Sequence, residues 1–340
     1  MGRALNSILA KEGQLLMEKI KEINKRVQSW QENIFPYFDD CVVKSISSLP
    51  SSTLDNLSEI RLRCMRAVSV TVGNKNIILQ DTDTSKPLIL DEQAMYDIFI
   101  KLCQGSVYKF ENQIRSGFIT ISGGHRVGFC GSVVYDKERV VTVNHISSLS
   151  FRISRQIKNA AREIIGNLIN DGKVYSALIV SEPCGGKTTI LSDLSRLLSN
   201  AGYRCAVVDE RGEICSTFCG APQKDVGMLT DVLDGYGKGE GMMTALRSLS
   251  PQVIICDEVG TQTDAEAMLE AMNAGVPVIA SAHARNEEEL MSRPQIERLV
   301  DNGAIDKIFF LKGSAHPGVL KKVITVNNYD EDNWNSDDCY

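Results

Sequence analysis

No apolar run in the 340-residue sequence approaches the ~18 residues that a membrane-spanning helix needs. The chain is therefore expected to be soluble, with any membrane contact made through a partner. The N-terminus MGRALNSILAKEGQLL lacks an apolar core followed by a small-residue cleavage site, so the ten cysteines are expected to be reduced cytosolic thiols rather than a disulfide scaffold. Cys215 and Cys219 could begin a metal site, but no second pair stands at ligand spacing and zinc needs about four ligands; none is expected. Excess positive charge is also missing. The net charge of −6 and the pI near 5.4 argue against a protein that coats nucleic acid, although a local basic patch remains compatible with them. No internal repeat is present.

What is there divides into two patterns. Leu16, Ile20, Ile23 and Val27 recur at helical spacing among charges, which predicts an amphipathic N-terminal extension over about 1–30. Short alternating stretches follow, RAVSVTVG (66–73), GFITIS (117–122), HRVGFCGSVVY (125–135) and RVVTV (139–143), with a helix expected over 91–103. They imply a small α+β domain over 31–160. From about residue 163 the pattern changes to apolar strands alternating with helical segments: YSALIVS, RCAVVDE, QVIICDE, PVIASAH and DKIFFLK. That alternation predicts an α/β domain over 163–328, with a parallel sheet covered by helices on both faces. Thr261 or Thr263 caps one helix and Gly275 stops it; Pro294 should break or kink another. The acidic stretch DEDNWNSDDCY reads as a disordered tail over 329–340.

The stretch SEPCGGKTT, Ser181, Glu182, Pro183, Cys184, Gly185, Gly186, Lys187, Thr188 and Thr189, sits between the strand YSALIVS and an amphipathic helix. That is the context of a nucleotide-binding phosphate loop, and the chemistry explains the spacing. Gly185 and Gly186 let backbone N–H groups close around a phosphate, and the helix start adds its positive dipole end. Lys187 reaches the β/γ oxygens, and the Thr188 hydroxyl ligates Mg²⁺. Ser181 stands where the first glycine of the pattern belongs, so strain is expected if that position needs a positive φ, with weaker ATP binding as the result. The bland alternative is a Gly-rich turn that only mimics the motif.

Further polar groups stand at strand ends, where α/β sheets present ligands. In VIICDE, Asp257 would hold Mg²⁺ through its water shell and Glu258 would polarise the attacking water, unless the pair is a solvated strand end. VVDERGEI offers Asp209, Glu210, Arg211 and Glu213, with Glu210 placed for a γ-phosphate or its water; a solvated turn is the alternative. His283 in SAHAR is a catalytic candidate or a satisfied core histidine.

Seven blocks, EIRLR (59–63), SGGHRVGFCG (122–131), ISSLSFRISRQI (146–157), VVDERGEI (207–214), DVGMLTDVLDG (225–235), GMMTALRSLSPQVIICDEVG (241–260) and SAHAR (281–285), together resemble the stage III sporulation protein AA family, over about 50–325. That family is related to the ATPases of type II and type IV secretion systems. The resemblance implies a RecA-like P-loop ATPase domain and a ring, hexameric by analogy, with ATP and Mg²⁺. It also implies a mother-cell cytoplasmic location at the membrane through partners, such as the AB protein of the same sporulation channel. Residue by residue, Lys187 and Thr188 match the phosphate loop and Asp257 and Glu258 the Walker B acids. Glu210 and Glu213 match the acidic box, His283 the histidine box, and Arg247 the arginine before the Walker B strand. Arg152 and Arg155 fall where N-terminal arginines reach the nucleotide in related ATPases, a contribution of several orders of magnitude for arginine fingers elsewhere. The alternative for them, shared by Arg61, Arg63, Arg115 and Arg126, is local pairing with carboxylates.

Two departures stand out: Ser181, and the helix before residue 30, to which nothing transfers. Cys184 inside the loop would make binding oxidation-sensitive if its thiolate is favoured there. The resulting expectation is Mg-ATP hydrolysis between subunits that energises assembly of, or transport through, a channel. Its rivals are an ATP-gated scaffold with little turnover and a nucleic-acid motor, the latter disfavoured by the acidic pI. The Gly-rich stretch 219–240 reads as a long functional loop.

Overall fold

In a computed structural model the structure describes residues 30–136 and 139–326, so the N-terminal amphipathic helix and the acidic tail both lie outside the described residues. The described residues form two compact units that meet between Ser154 and Arg155, before the 160 suggested by the change of pattern.

The first unit contains helices α1 (Trp30–Ile34), α2 (Asp40–Ser47) and α3 (Ser51–Asn56), then strands β1 (Leu57–Arg63), β2 (Arg66–Val72) and β3 (Lys75–Ile78). Helices α4 (Glu92–Leu102) and α5 (Glu111–Arg115) and strands β4 (Phe118–Ile121), β5 (His125–Asp136) and β6 (Arg139–Arg152) complete it. The six strands pair antiparallel in the order β3-β2-β1-β6-β5-β4. Period-two alternation sorts the faces. Ile60 and Leu62 point into a core with Val42, Ile46, Met95, Ile98 and Phe99, while Glu59, Arg61 and Arg63 stand on the other face. The Asp91 carboxylate caps α4 by accepting the Ala94 N–H at 2.9 Å.

The second unit opens with α6 (Arg162–Leu168) and a small hairpin of β7 (Ile169–Asn170) and β8 (Lys173–Val174). Its main elements follow in order: β9 (Ala177–Val180), α7 (Lys187–Asn200), β10 (Cys205–Asp209), β11 (Thr230–Asp234), α8 (Lys238–Ser248), β12 (Val253–Glu258) and α9 (Gln262–Asn273). Then come β13 (Val278–Ala282), α10 (Glu287–Met291), α11 (Pro294–Asp301), β14 (Lys307–Leu311) and β15 (Leu320–Thr325). Seven strands form one sheet in the order β11-β10-β12-β13-β9-β14-β15, parallel except for β15. Alternate residues of each central strand enter opposite cores. Leu178 and Val180 join Ile254, Ala280 and Phe310 on one side, and Ala177 and Ile179 join Ile255, Ile279 and Phe309 on the other. Burial on both faces explains the nearly unbroken apolar runs.

Thr261 is the cap of α9, in a reciprocal box with Asp264. Pro294 breaks the segment, as expected: α10 ends at Met291 and Pro294 occupies the first turn of α11. The stretch 219–240 is not one long loop. It contains the edge strand β11, paired in parallel with β10, and the start of α8. Its glycines and lone proline masked the TDVLD strand, whose alternation is short because an edge strand buries few residues. Among the described residues no helix is long and apolar enough to cross a membrane.

Helix α7 is anchored by a buried ion pair. Asp193 is fully buried, accepts the Ala161 N–H at 3.0 Å and pairs with Arg196 at 2.6 Å, and Arg196 also reaches Asn159. Asp193→Ala leaves Arg196 without its counter-charge and should lower stability by about 3 kcal/mol, read as a lower urea midpoint.

Candidate functional site

Parallel strands bring their C-terminal ends to one edge of the sheet, and the polar residues emerge there because the strand interiors are dry. Strand β13 lies between β9 and β12, so the loop after β9 and the acids ending β12 face each other across the width of a single strand. Between them is a cavity of about 470 Å³. Pro183, Cys184, Gly185, Gly186, Lys187, Thr188 and Thr189 form one wall; Asp257, Glu258, His283, Arg211, Glu213 and Pro317 complete it.

The loop's glycines are required by close approach. A Cβ on Gly185 would lie 1.8 Å from Ser181 Oγ, and one on Gly186, at φ 90°, would lie 2.5 Å from the Gly318 nitrogen. The strain expected at Ser181 is absent: the positive-φ positions of the loop are Cys184, at 63°, and Gly186. Ser181 is buried directly after β9 and is not a positive-φ residue, so the missing glycine imposes no backbone strain there. Its Oγ is buried without a hydrogen-bond partner.

Lys187 is the centre of the polar arrangement. Its Nζ donates to Ser181 O at 2.9 Å and Glu182 O at 3.1 Å, and lies 2.8 Å from His283 Nδ1. His283 Nε2 is 3.3 Å from Glu258 Oε2, so one imidazole links the ammonium to the carboxylate. Burial lowers the Lys187 pKa below its ordinary range, against the opposing charges of Glu258 and Asp257. Asp257 is held in turn by Ser281 Oγ, which donates to it at 3.0 Å. Thr188 and Asp257 bring a hydroxyl and a carboxylate, both hard oxygen donors, to the same cavity, which suits Mg²⁺.

The acidic segment after β10 is arranged by its own first acid, which the structure gives a structural rather than a cavity-lining place. Asp209 is fully buried and accepts the N–H groups of Glu213, Ile214 and Cys215 at 2.8, 3.1 and 2.8 Å. Burial raises its carboxyl pKa against those three donors. This turn sends Arg211 and Glu213 into the cavity wall, whereas Glu210 pairs with Lys238 and is not among the residues lining it. Arg247 is exposed in the last turn of α8, and Arg155 is exposed at the start of the unit; neither lines the cavity. Arg152 belongs to the first unit, paired in register with Glu59 and Arg126. There Arg61 and Ser150 both donate to Glu59, at 2.5 and 2.6 Å, so local pairing accounts for Arg61.

A second cavity of about 410 Å³ adjoins the first and shares Gly186, Thr189 and Pro317 with it. Its other walls are Ile157, Asn159, Ala160, Arg162, Glu163, Gly318 and Val319. Sequence reading missed this cavity and Pro317, because the segment 312–319 carries no motif and reaches the site only through strand pairing.

The fold is RecA-like, as in secretion ATPases. It resembles the ATPase DotB of Yersinia pseudotuberculosis, with a TM-score of 0.54 and 16% identity over 82% of this chain and 77% of that one. It also resembles the pilus retraction motor PilT with bound ADP, with a TM-score of 0.51 and 14% identity over 79% and 76% of the two chains. At the sequence level, the model of the family described as sporulation stage III, protein AA matches residues 30–330. Stage III sporulation protein AA of Bacillus subtilis (strain 168) is 35% identical over 293 residues, 85% of this chain and 91% of that protein. The chain belongs to that family.

Two consequences are measurable. Asp209→Ala removes the acceptor for three buried N–H groups and should cost about 2–3 kcal/mol, checked by denaturant unfolding. Brief alkylation of the native protein should label the exposed thiols Cys41, Cys130, Cys184 and Cys219. Burial pushes the thiols of Cys103, Cys205 and Cys256 up to about 11, 12 and 12, so these should remain unlabelled until unfolding, as read by peptide mass spectrometry.

Proposed function

We propose that this protein binds Mg-ATP in the two adjoining cavities and hydrolyses it, as the motor of a sporulation channel complex. The observation that carries this reading is the convergence of Lys187, His283 and Glu258 on one cavity bordered by the glycine loop and the α7 N-terminus. A triphosphate there meets loop amides, a helix dipole and a buried ammonium, each favouring anionic oxygen. The more apolar second cavity, walled by Ile157, Ala160, Pro317 and Val319, suits the nucleoside.

Lys187 leaves its carbonyl and imidazole partners for the β/γ-phosphate oxygens. Released from Lys187, His283 keeps its Nε2 toward Glu258, whose carboxylate orients the attacking water and takes its proton. Thr188 and Asp257 are the residues that would hold Mg²⁺, which neutralises charge on the phosphates when bound. Arg211 and Glu213 border the same space, and Arg152, Arg155 and Arg247 are assigned to act between subunits of a ring. Family membership supports work with membrane proteins of the channel, including the AB protein, from the cytoplasmic side. Homo-oligomerisation to a hexamer is part of the same proposal, and no stable nucleic-acid partner is.

A second reading, an ATP-gated scaffold, is favoured by one observation: in this arrangement His283 engages both Lys187 and Glu258. Comparing nucleotide binding with phosphate release separates the two. Hydrolysis predicts that Glu258→Gln lowers turnover by about 10²-fold or more while keeping Mg-ATP affinity, and that Lys187→Ala abolishes binding. Turnover of Glu258→Gln equal to the parent's would remove the water-orienting role.

A further inference from the structure

The turn joining β14 to β15, residues 312–319, touches the phosphate loop at separate points. Ser314 N and Oγ both donate to Glu182 Oε1, at 2.9 and 2.8 Å, and Gly318 N donates to Gly185 O at 2.9 Å. Space is equally limiting. A Cβ on Gly313 would fall 2.6 Å from Glu182 Oε1, just as one on Gly186 would strike the Gly318 nitrogen. The turn is closed on itself by Lys312 N to Val319 O at 2.9 Å and His316 N to Gly313 O at 3.2 Å. Its far end also walls the second cavity through Pro317, Gly318 and Val319, and Pro317 borders both cavities.

We propose that this turn is a positioning element for the phosphate loop, with Glu182 and Ser314 as its brace. Glu182 belongs to the loop by sequence, yet its side chain faces away from the cavity and reaches the turn. The backbone N–H and the hydroxyl of Ser314 hold its carboxyl below the usual range, which fits a permanent acceptor. The turn therefore sets the loop's shape and ties it to the wall of the neighbouring cavity. One ligand filling both cavities is gripped by elements that do not move independently. This inference rests on reading the two cavities as a nucleotide site.

Three variants test it, in calorimetry with Mg-ATP and with inorganic triphosphate and in steady-state kinetics. Glu182→Ala removes the acceptor, Glu182→Gln keeps an oxygen there, and Ser314→Ala removes one of two donors. Glu182→Ala is expected to raise KM for Mg-ATP by about three- to tenfold with kcat little changed, and to weaken triphosphate less. Ser314→Ala should fall between it and the parent, and Glu182→Gln should restore most of the affinity. An unchanged KM in Glu182→Ala overturns the brace. So does a Glu182→Gln as impaired as Glu182→Ala, because the effect would then belong to the carboxylate's charge near Arg285 and Lys187. If the parent binds neither ligand, the nucleotide reading falls and hydrogen exchange of the ligand-free protein decides on the brace. Faster exchange over 181–190 and 312–319 in Glu182→Ala supports it, and unchanged exchange overturns it.

Discussion

A buried ammonium in a polar cavity is the constraint to which the rest of the second unit answers. Lys187 is 7% exposed, and a charge so placed persists only where oxygen and nitrogen lone pairs surround it. The carbonyls of Ser181 and Glu182 and the imidazole of His283 supply them. Those partners come from the end of β9, from the loop and from the end of β13, so the charge is satisfied only when the sheet is assembled in its full order. Desolvation, which lowers the lysine's pKa, also makes its interaction with any anionic group stronger than in water.

The same logic explains why other polar groups are rigid. Asp257 is fixed by Ser281, Asp209 by three backbone donors, and Asp193 by Arg196 and the Ala161 amide. Asp193 and Asp209 are fully removed from water and Asp257 is half-buried, and each is given hydrogen-bond partners. Such groups contribute modest net stability but strongly penalise alternative packings, because a wrong packing leaves a charge unpaired. Surroundings of this kind hold the side chains of a site in fixed relation to one another.

Much of this site was legible in the residues. The loop 181–189, the acids 257 and 258 and His283 follow from one rule, that polar residues at the ends of doubly buried apolar strands share an edge. Family likeness pointed the same way. The reading fell short where long-range contact decides position. Glu210 was the acid expected near a γ-phosphate, but Asp209 bends the backbone so that Glu213 borders the cavity and Glu210 meets Lys238. Strain at Ser181 was inferred from a motif, whereas the positive φ falls on Cys184. Strand β11 was hidden by glycines, since an edge strand shows little hydrophobic period.

By itself the sequence determined the local chemistry: which strands are buried on both faces, where α7 and α9 begin, and that two glycines precede a lysine. These are properties of neighbours along the chain, set by side-chain period and backbone freedom. Only the tertiary structure decided that β13 lies between the loop strand and the acidic strand, that His283 joins Lys187 to Glu258, and that the 312–319 turn presses on Gly186. The physical reason is distance along the chain. Contacts between residues from tens of positions to more than a hundred apart arise from strand order and close packing, which no local window of sequence contains.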